Sequence, residues 1–448
     1  MFQTVFPTLC PPYDGSGPVK GHSRMPAKLS GSDGETKMRW ASRTLWATGK
    51  SHFRSSNEFL PGILVAILLA SLGPAGYAQQ PANTASSPQA QPQAQPGDQP
   101  NDPGPVATDL SPALHSKQIH AAMKKVADWE LARVQAQPPS RSWDFGVLDI
   151  GLIAASRTLH DRTYSQYVTS AGEHFGWKLE RTTRPADDFA IAQAFLELYR
   201  SSHQQEQMAP LQRQFDDAVA LLNDPEEPAW WWCDALFMAP PAGVELSDIT
   251  ADNTYNAYVD REWGKTEKLL YDQQKHLFSR DASYLNKREK NGEKVFWSRG
   301  NGWVMAGIVR VLSTLPSDDP LRPHYIALLR EMAAEVASQQ GSDGLWRPGL
   351  LDPGSYPLPE VSGSAFFTYA LAWGISHRIL SADVYLPVVE RAWAGILTHV
   401  YADGRLGAIQ PIGEAPAEYK ASSSYNFGVG AFLLAASELD ILSEHKHW

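Results

Sequence analysis

From about Ser111 to the C-terminus, every second helical segment of this chain is apolar on more than one side, and that alternation narrows the fold more than any other feature. Ile119, Ala122, Met123, Val126 and Ala127 recur at helical spacing, as do Leu211, Phe215, Ala218, Val219 and Leu222. Tyr325, Leu328, Leu329, Met332, Ala333 and Val336 repeat the pattern, and so do Val389, Ala392, Trp393, Ile396, Leu397 and Val400. Segments beginning near Asp161, Met208, Asn253, Arg322 and Asp383 set a charged face opposite the apolar one, as a helix with one side in water must. Those beginning near Asp144, Asp187, Trp232, Gly300, Ser362 and Tyr425 are apolar on more sides and rich in Ala and Gly, the pattern of buried helices. Loops with Gly, Pro and Asp separate about twelve helices, and strand-like alternation is almost absent. Six inner and six outer helices in alternation predict an all-α (α/α)6 barrel over 111–448. Its inner helices run parallel, so their N-terminal ends meet at one mouth, where helix dipoles favour an anion.

The preceding residues read differently. Residues 1–78 form an N-terminal extension ending in a signal peptide: Lys50 and Arg54 precede an apolar stretch within Phe59 to Gly73, and Gly76-Tyr77-Ala78 offers a small-x-small cleavage site before Gln79. The apolar stretch is shorter than the roughly 20 residues of a spanning helix. This predicts an exported protein, periplasmic or secreted, with no membrane attachment after cleavage. Residues 79–110 are a Pro/Gln-rich linker, too polar to offset chain entropy by burial. Of the two cysteines, Cys10 lies upstream of the signal sequence, so Cys233 alone remains in the mature chain and no intramolecular disulfide is expected.

The chain has 448 residues and a formal charge of -10, and no basic run appears in its folded part. Nucleic acid is therefore not the expected partner, because phosphate binding needs clustered Lys and Arg. Scattered His residues, no His-Glu-x-x-His and one mature cysteine give no metal pattern. With neither a phosphate loop nor a dinucleotide fingerprint, cofactor-free chemistry is expected. Nothing in the sequence fixes an oligomeric state.

Two motifs fall at predicted inner-helix starts: Trp230-Trp231-Trp232-Cys233-Asp234-Ala235-Leu236-Phe237-Met238, and Phe296-Trp297-Ser298-Arg299-Gly300-Asn301-Gly302-Trp303. Indole faces around one acid and one cation suit a sugar-acid pocket. Asp234, nearly dry among indoles, reads either as a proton donor with a raised pKa or as a helix N-cap. Asp187 and Asp188 read as two mouth carboxylates with divided roles or as a doubled cap. Arg299 offers a planar fork to a carboxylate, or an interior ion pair. Trp143, Trp232, Trp297 and Trp303 line the mouth or fill the core. Asp343-Gly344 and Asp403-Gly404 are turn chemistry, with Trp346 and Arg347 as further mouth candidates. Glu360, Ser362 and Ser364 read as a helix cap.

In this order, Trp-x-Asp-Ala-Leu-Phe-Met and Trp-Ser-Arg-Gly-Asn-Gly-Trp resemble glycoside hydrolase family 105, the unsaturated rhamnogalacturonyl and glucuronyl hydrolases, with more distant similarity to family 88. The resemblance spans roughly Ser111 to the C-terminus and implies the same (α/α)6 barrel. It implies removal of a terminal 4,5-unsaturated uronyl residue from lyase-generated acidic oligosaccharides, by hydration of the double bond. The family's general acid/base falls on Asp234 and its second carboxylate on Asp187, or on Asp188 if the register slips by one. Substrate contacts fall on Trp232, Trp297, Arg299 and Trp303. Where many relatives carry a His after Leu277-Phe278, this chain reads Ser279-Arg280-Asp281, which makes Arg280 a candidate contact. Two other readings stand beside this one: an inverting glycosidase or lyase acting on saturated acidic polysaccharide, and a non-catalytic binding protein for uronic oligosaccharides.

Overall fold

A computed structural model describes Gly97 and residues 102–180, 185–221 and 224–444. The signal-peptide segment and most of the 79–110 linker lie outside the described residues. The helices in chain order are α1 (Ser116–Gln135), α2 (Trp143–Thr158), α3 (Arg162–His174), α4 (Pro185–Asp188), α5 (Ala190–Ser202), α6 (Gln205–Leu221) and α7 (Ala235–Met238). They continue with α8 (Pro240–Thr250), α9 (Thr254–Leu270), α10 (Ser298–Thr314), α11 (Arg322–Ser338), α12 (Val361–Ser376), α13 (Ala382–Leu397) and α14 (Asn426–Glu444). The described strands are two-residue pieces, β1 (Tyr271–Asp272) and β2 (Leu277–Phe278), paired antiparallel.

The (α/α)6 barrel expected from the periodicity is present. α2 packs on α5, α5 on α8, α8 on α10, α10 on α12, α12 on α14, and α14 back on α2, which closes an inner ring. Helices α1, α3, α6, α9, α11 and α13 lie outside it, each packed on an inner neighbour. On α1 the residues Ile119, Ala122, Met123, Val126 and Ala127 are fully buried while the opposite face meets water. Each large aliphatic side chain sunk this way contributes roughly 1.5–3 kcal/mol. α12 and α14 are buried along nearly their whole length, as all-round apolar helices must be. Glycines let the ring close tightly: a Cβ on Gly151 of α2 would stand 2.8 Å from the Cα of Gly430 on α14.

Two inner segments are broken at their N-terminal ends, which periodicity did not reveal. The segment expected from Asp187 divides into α4 and α5, separated by Phe189. The segment expected from Trp232 divides into α7 and α8 at Ala239, because Pro240 and Pro241 lack the N–H groups that a continuous ladder needs. Both interruptions fall at the mouth. Ala107 N donates to Val400 O and Ala402 N to Pro105 O, so the last part of the segment read as linker is stitched to the end of the α13 hairpin.

One acid is buried within this packing. Asp149 on α2 is 1% exposed and neither carboxyl oxygen has a hydrogen-bond partner. Burial, reinforced by Asp144, pushes its pKa well above the usual carboxylate range. Its folded pKa exceeds its unfolded one, so its contribution to stability is complete below the unfolded value and is lost as pH rises toward the folded value. Asp149→Asn, which copies the neutral acid, is expected to melt higher than the wild type at about pH 8 and to converge with it near pH 4. Parallel melting curves across that range would exclude ionisation of Asp149 as a cost.

Candidate active site

The sequence-distant motifs converge because the inner helices share one polarity. Trp143 opens α2, Asp187 lies in α4, Asp234 immediately precedes α7, and Trp297, Arg299 and Trp303 sit at the start of α10. These six, with Trp232, Met238, Arg280, Ile412, Gly413 and Glu414, line a cavity of about 90 Å³. A larger cavity of about 630 Å³ opens at the opposite end of the barrel, among the C-terminal ends of α2, α5, α10, α12 and α14. There Arg310 and Arg157 pair with Glu197, and Arg200 with Glu245. Helix C-termini repel anions and N-termini attract them, so the smaller cavity is the one suited to a sugar acid.

Asp234 occupies the cap position of α7, yet its side chain makes no capping hydrogen bond. The Cys233 thiol donates to its Oδ2 at 3.3 Å, and Arg280 Nε lies 3.9 Å from the same oxygen. Burial raises its pKa, and Arg280, the Cys233 thiol and Arg299 pull it back. The outcome is a carboxyl held toward its protonated form beside two guanidiniums that stabilise it once ionised. Backbone pairing sets this arrangement: Cys233 N donates to Arg280 O at 2.8 Å, and Trp232 bridges Asp281, so the loop after β2 lies along the acid.

The two arginines are used differently. Arg299, 1% exposed, donates from Nη1 to Gln410 O at 2.5 Å and from Nη2 to Pro411 O at 2.8 Å. Its guanidinium lies 4.3 Å from the ring of Trp297 and 4.9 Å from that of Phe427. Burial pushes its pKa down from the ordinary arginine value, against the pull of Glu360 and Asp234. Arg299 lines the cavity but spends this end of its fork on the chain that leads to Glu414, which departs from the expectation of a free fork. Its interior ion-pair partner is Glu360, 4.0 Å away. Arg280 donates from Nη1 to Asp281 at 2.7 Å and from Nη2 to Glu414 at 3.3 Å, while its buried Nε has no hydrogen-bond partner.

The indoles have separate duties. Trp303 packs against Phe366 at 4.3 Å, Phe237 at 4.9 Å and Trp143 at 6.2 Å, forming an aromatic floor. Trp297 Nε1 donates to Gln410 Oε1 at 2.8 Å. Asn301 accepts from Phe278 N and donates to Phe278 O and Trp297 O, fastening β2 and its loop to α10. Gly302 permits α10 to approach α12, since a Cβ there would lie 3.3 Å from the Cα of Gly363. Glu360 caps α12 as expected, accepting from Ser362 N and Gly363 N.

Of the residues singled out from sequence, Asp234, Asp187, Trp232, Trp297, Arg299, Trp303, Trp143 and Arg280 all line this cavity. Asp188 does not: it is buried and outside the lining, so the cavity takes the first acid of the pair. Trp346 is also a core residue, donating to Val336 O, and Arg347 pairs with Asp343 and is not among the residues lining the cavity. Sequence reasoning missed Met238, Ile412, Gly413 and Glu414 as wall residues, and Trp231, whose ring lies 5.7 Å from the Arg280 guanidinium. Among the described residues no group of three His, Cys, Asp or Glu is placed to hold a metal ion.

The sequence profile of Glycosyl Hydrolase Family 88 matches residues 114–442, the whole barrel. The chain belongs to glycosyl hydrolase family 88. It is a glycosidase, and this family-88 barrel is 34% identical over 351 residues to the unsaturated 3S-rhamnoglycuronyl hydrolase of Formosa agariphila, covering 74% of this chain and 93% of that protein. A solved glycosyl hydrolase family 88 structure from Bacteroides vulgatus superposes with a TM-score of 0.68 at 31% identity, over 72% of this chain and 98% of that one. A possible family-105 member from Salmonella enterica shares the fold, with a TM-score of 0.60 at 18% identity over 72% of this chain and 93% of that one. The order of the two resemblances is thus reversed: family 88 is the membership and family 105 the more distant likeness. Motifs at the mouth of a shared barrel did not separate them.

Proposed function

We propose that this family-88 enzyme removes a 4,5-unsaturated uronyl residue from the non-reducing end of lyase-generated oligosaccharides, with Asp234 as general acid and base. The observation that carries the reading is the Asp234 carboxyl itself: excluded from capping, buried enough to favour protonation, and aimed into a cavity with two guanidiniums and an indole floor. Protonated Asp234 delivers its proton to C4 of the alkene. Positive charge develops at C5 and is shared with the ring oxygen. Water adds at C5 and returns a proton to the Asp234 carboxylate, and the resulting hemiketal opens to release the neighbouring sugar. Asp187, which lines the same cavity, supplies a second carboxyl group to stabilise the cationic intermediate. The Trp232, Trp297, Trp303 and Trp143 rings shape a dry site for the sugar faces.

The names of two relatives, both unsaturated 3S-rhamnoglycuronyl hydrolases, support an unsaturated glycuronyl residue joined to rhamnose as the substrate. The N-terminal charged and apolar segment ending at Ala78 supports export, so the enzyme meets its substrate outside the cytoplasm. Incubation with lyase-treated polysaccharides from several acidic polymers tests the activity. Loss of the ultraviolet absorbance of the conjugated double bond is expected, fastest where the unsaturated sugar is joined to rhamnose. Persistence of that absorbance across the whole panel would remove the assignment.

A further inference from the structure

The unpartnered Nε of Arg280 carries the strongest unused information in the molecule. The side chain is 5% exposed, lines the cavity, and has Nη1 committed to Asp281 at 2.7 Å. Its remaining edge, Nε with Nη2, is the side-on fork to which a carboxylate binds with two parallel hydrogen bonds. Glu414 reaches only the Nη2 half of it, at 3.3 Å, and Nε has no hydrogen-bond partner. We propose that this edge of Arg280 anchors the substrate carboxylate, and that Glu414 holds half of the edge until the substrate displaces it.

The assignment rests on the uronyl-hydrolase reading, and three observations point to it. Arg299, the other cation of the site, already gives Nη1 and Nη2 to backbone carbonyls. Arg280 Nε lies 3.9 Å from Asp234 Oδ2, so a carboxylate held there sets its attached C5, and C4 beside it, next to the proton donor. Glu414 Oε1 sits on Nη2 at 3.3 Å, so a substrate carboxylate that takes both halves of the edge replaces it there, one carboxylate for another. Glu414 is suited to leave: its side chain is 52% exposed, whereas that of Asp281, the permanent partner, is 10% exposed.

Glucuronate, which lacks the double bond and is not turned over, tests the proposal through quenching of the tryptophans around the cavity. Glu414→Gln is expected to bind glucuronate about three- to fivefold more tightly than the wild type. The uncharged methyl ester is expected to bind both proteins alike. Arg280→Lys keeps the charge but loses the fork, and is expected to bind glucuronate at least about tenfold more weakly. Equal or weaker glucuronate binding by Glu414→Gln overturns the role of Glu414. Unimpaired binding by Arg280→Lys overturns the anchor, and absence of glucuronate binding in all three proteins overturns both. If the glucuronate pattern holds while unsaturated oligosaccharides resist the wild type, the hydrolase reading fails and the anchor stands. The converse result separates the two the other way.

Discussion

Asp234→Asn is expected to lower turnover of unsaturated oligosaccharides by about 10²- to 10⁴-fold, the range that a positioned general acid contributes. An amide cannot give a proton to C4 or take one from the attacking water, yet it keeps the volume and nearly the shape of the carboxyl. The fold is expected to survive, because the carboxyl neither caps α7 nor supports a neighbouring helix, and burial already disfavours its charge. Equal melting temperatures with lost activity separate chemistry from folding. The pH dependence has a definite sign: Asp234 works as an acid only while protonated, so chemistry fails as pH rises through its pKa. Burial moves that alkaline limb upward, while Arg280, the Cys233 thiol and Arg299 restrain it. An Asn variant with more than about a tenth of wild-type turnover would exclude Asp234 as the proton donor.

Why Asp234 was legible and Glu414 was not follows from what each depends on. Asp234 sits in a run of indoles at a helix start, and alternation of outer and inner helices placed that start at the mouth. Local composition and periodicity sufficed. The N-cap reading failed because the carboxyl turns toward the loop after β2, a contact set by the pairing of Cys233 with Arg280. Glu414 belongs to an irregular connection between α13 and α14 and meets Arg280 across 134 residues of sequence. No period or motif marks it. The same connection altered the reading of Arg299: its fork was correctly placed at the mouth, but the carbonyls of Gln410 and Pro411 that occupy it are backbone groups, invisible in residue identity. The breaks before α5 and α8 escaped for a related reason, since apolar spacing continues across an interruption that only the hydrogen-bond ladder records.

Glu360 illustrates how a cap holds the site together, and Glu360→Ala is expected to cost about 3–5 kcal/mol of stability, as removal of one partner from a buried charge pair does. The side chain is fully buried and accepts from Ser362 N at 3.3 Å, Ser362 Oγ at 2.7 Å, Gly363 N at 2.6 Å and Gln410 N at 3.0 Å. It also faces the Arg299 guanidinium at 4.0 Å. Truncation to Ala would leave donors of α12 unpaired and a buried cation without its counter-charge, two penalties that water cannot relieve there. The connection carrying Ile412, Gly413 and Glu414 hangs from the same group, because Gln410 is held by Glu360 through its N–H and by Arg299 through its carbonyl. Activity should therefore fall with stability in the Ala variant, even though Glu360 is not among the residues lining the cavity. Glu360→Gln keeps one acceptor and the packing but loses the charge, so it is expected to fall between Ala and the wild type in urea denaturation. If the Ala variant unfolded at the wild-type midpoint, the pairing of Glu360 with Arg299 would carry no structural weight, and the wall carrying Glu414 would have to be held by its other contacts.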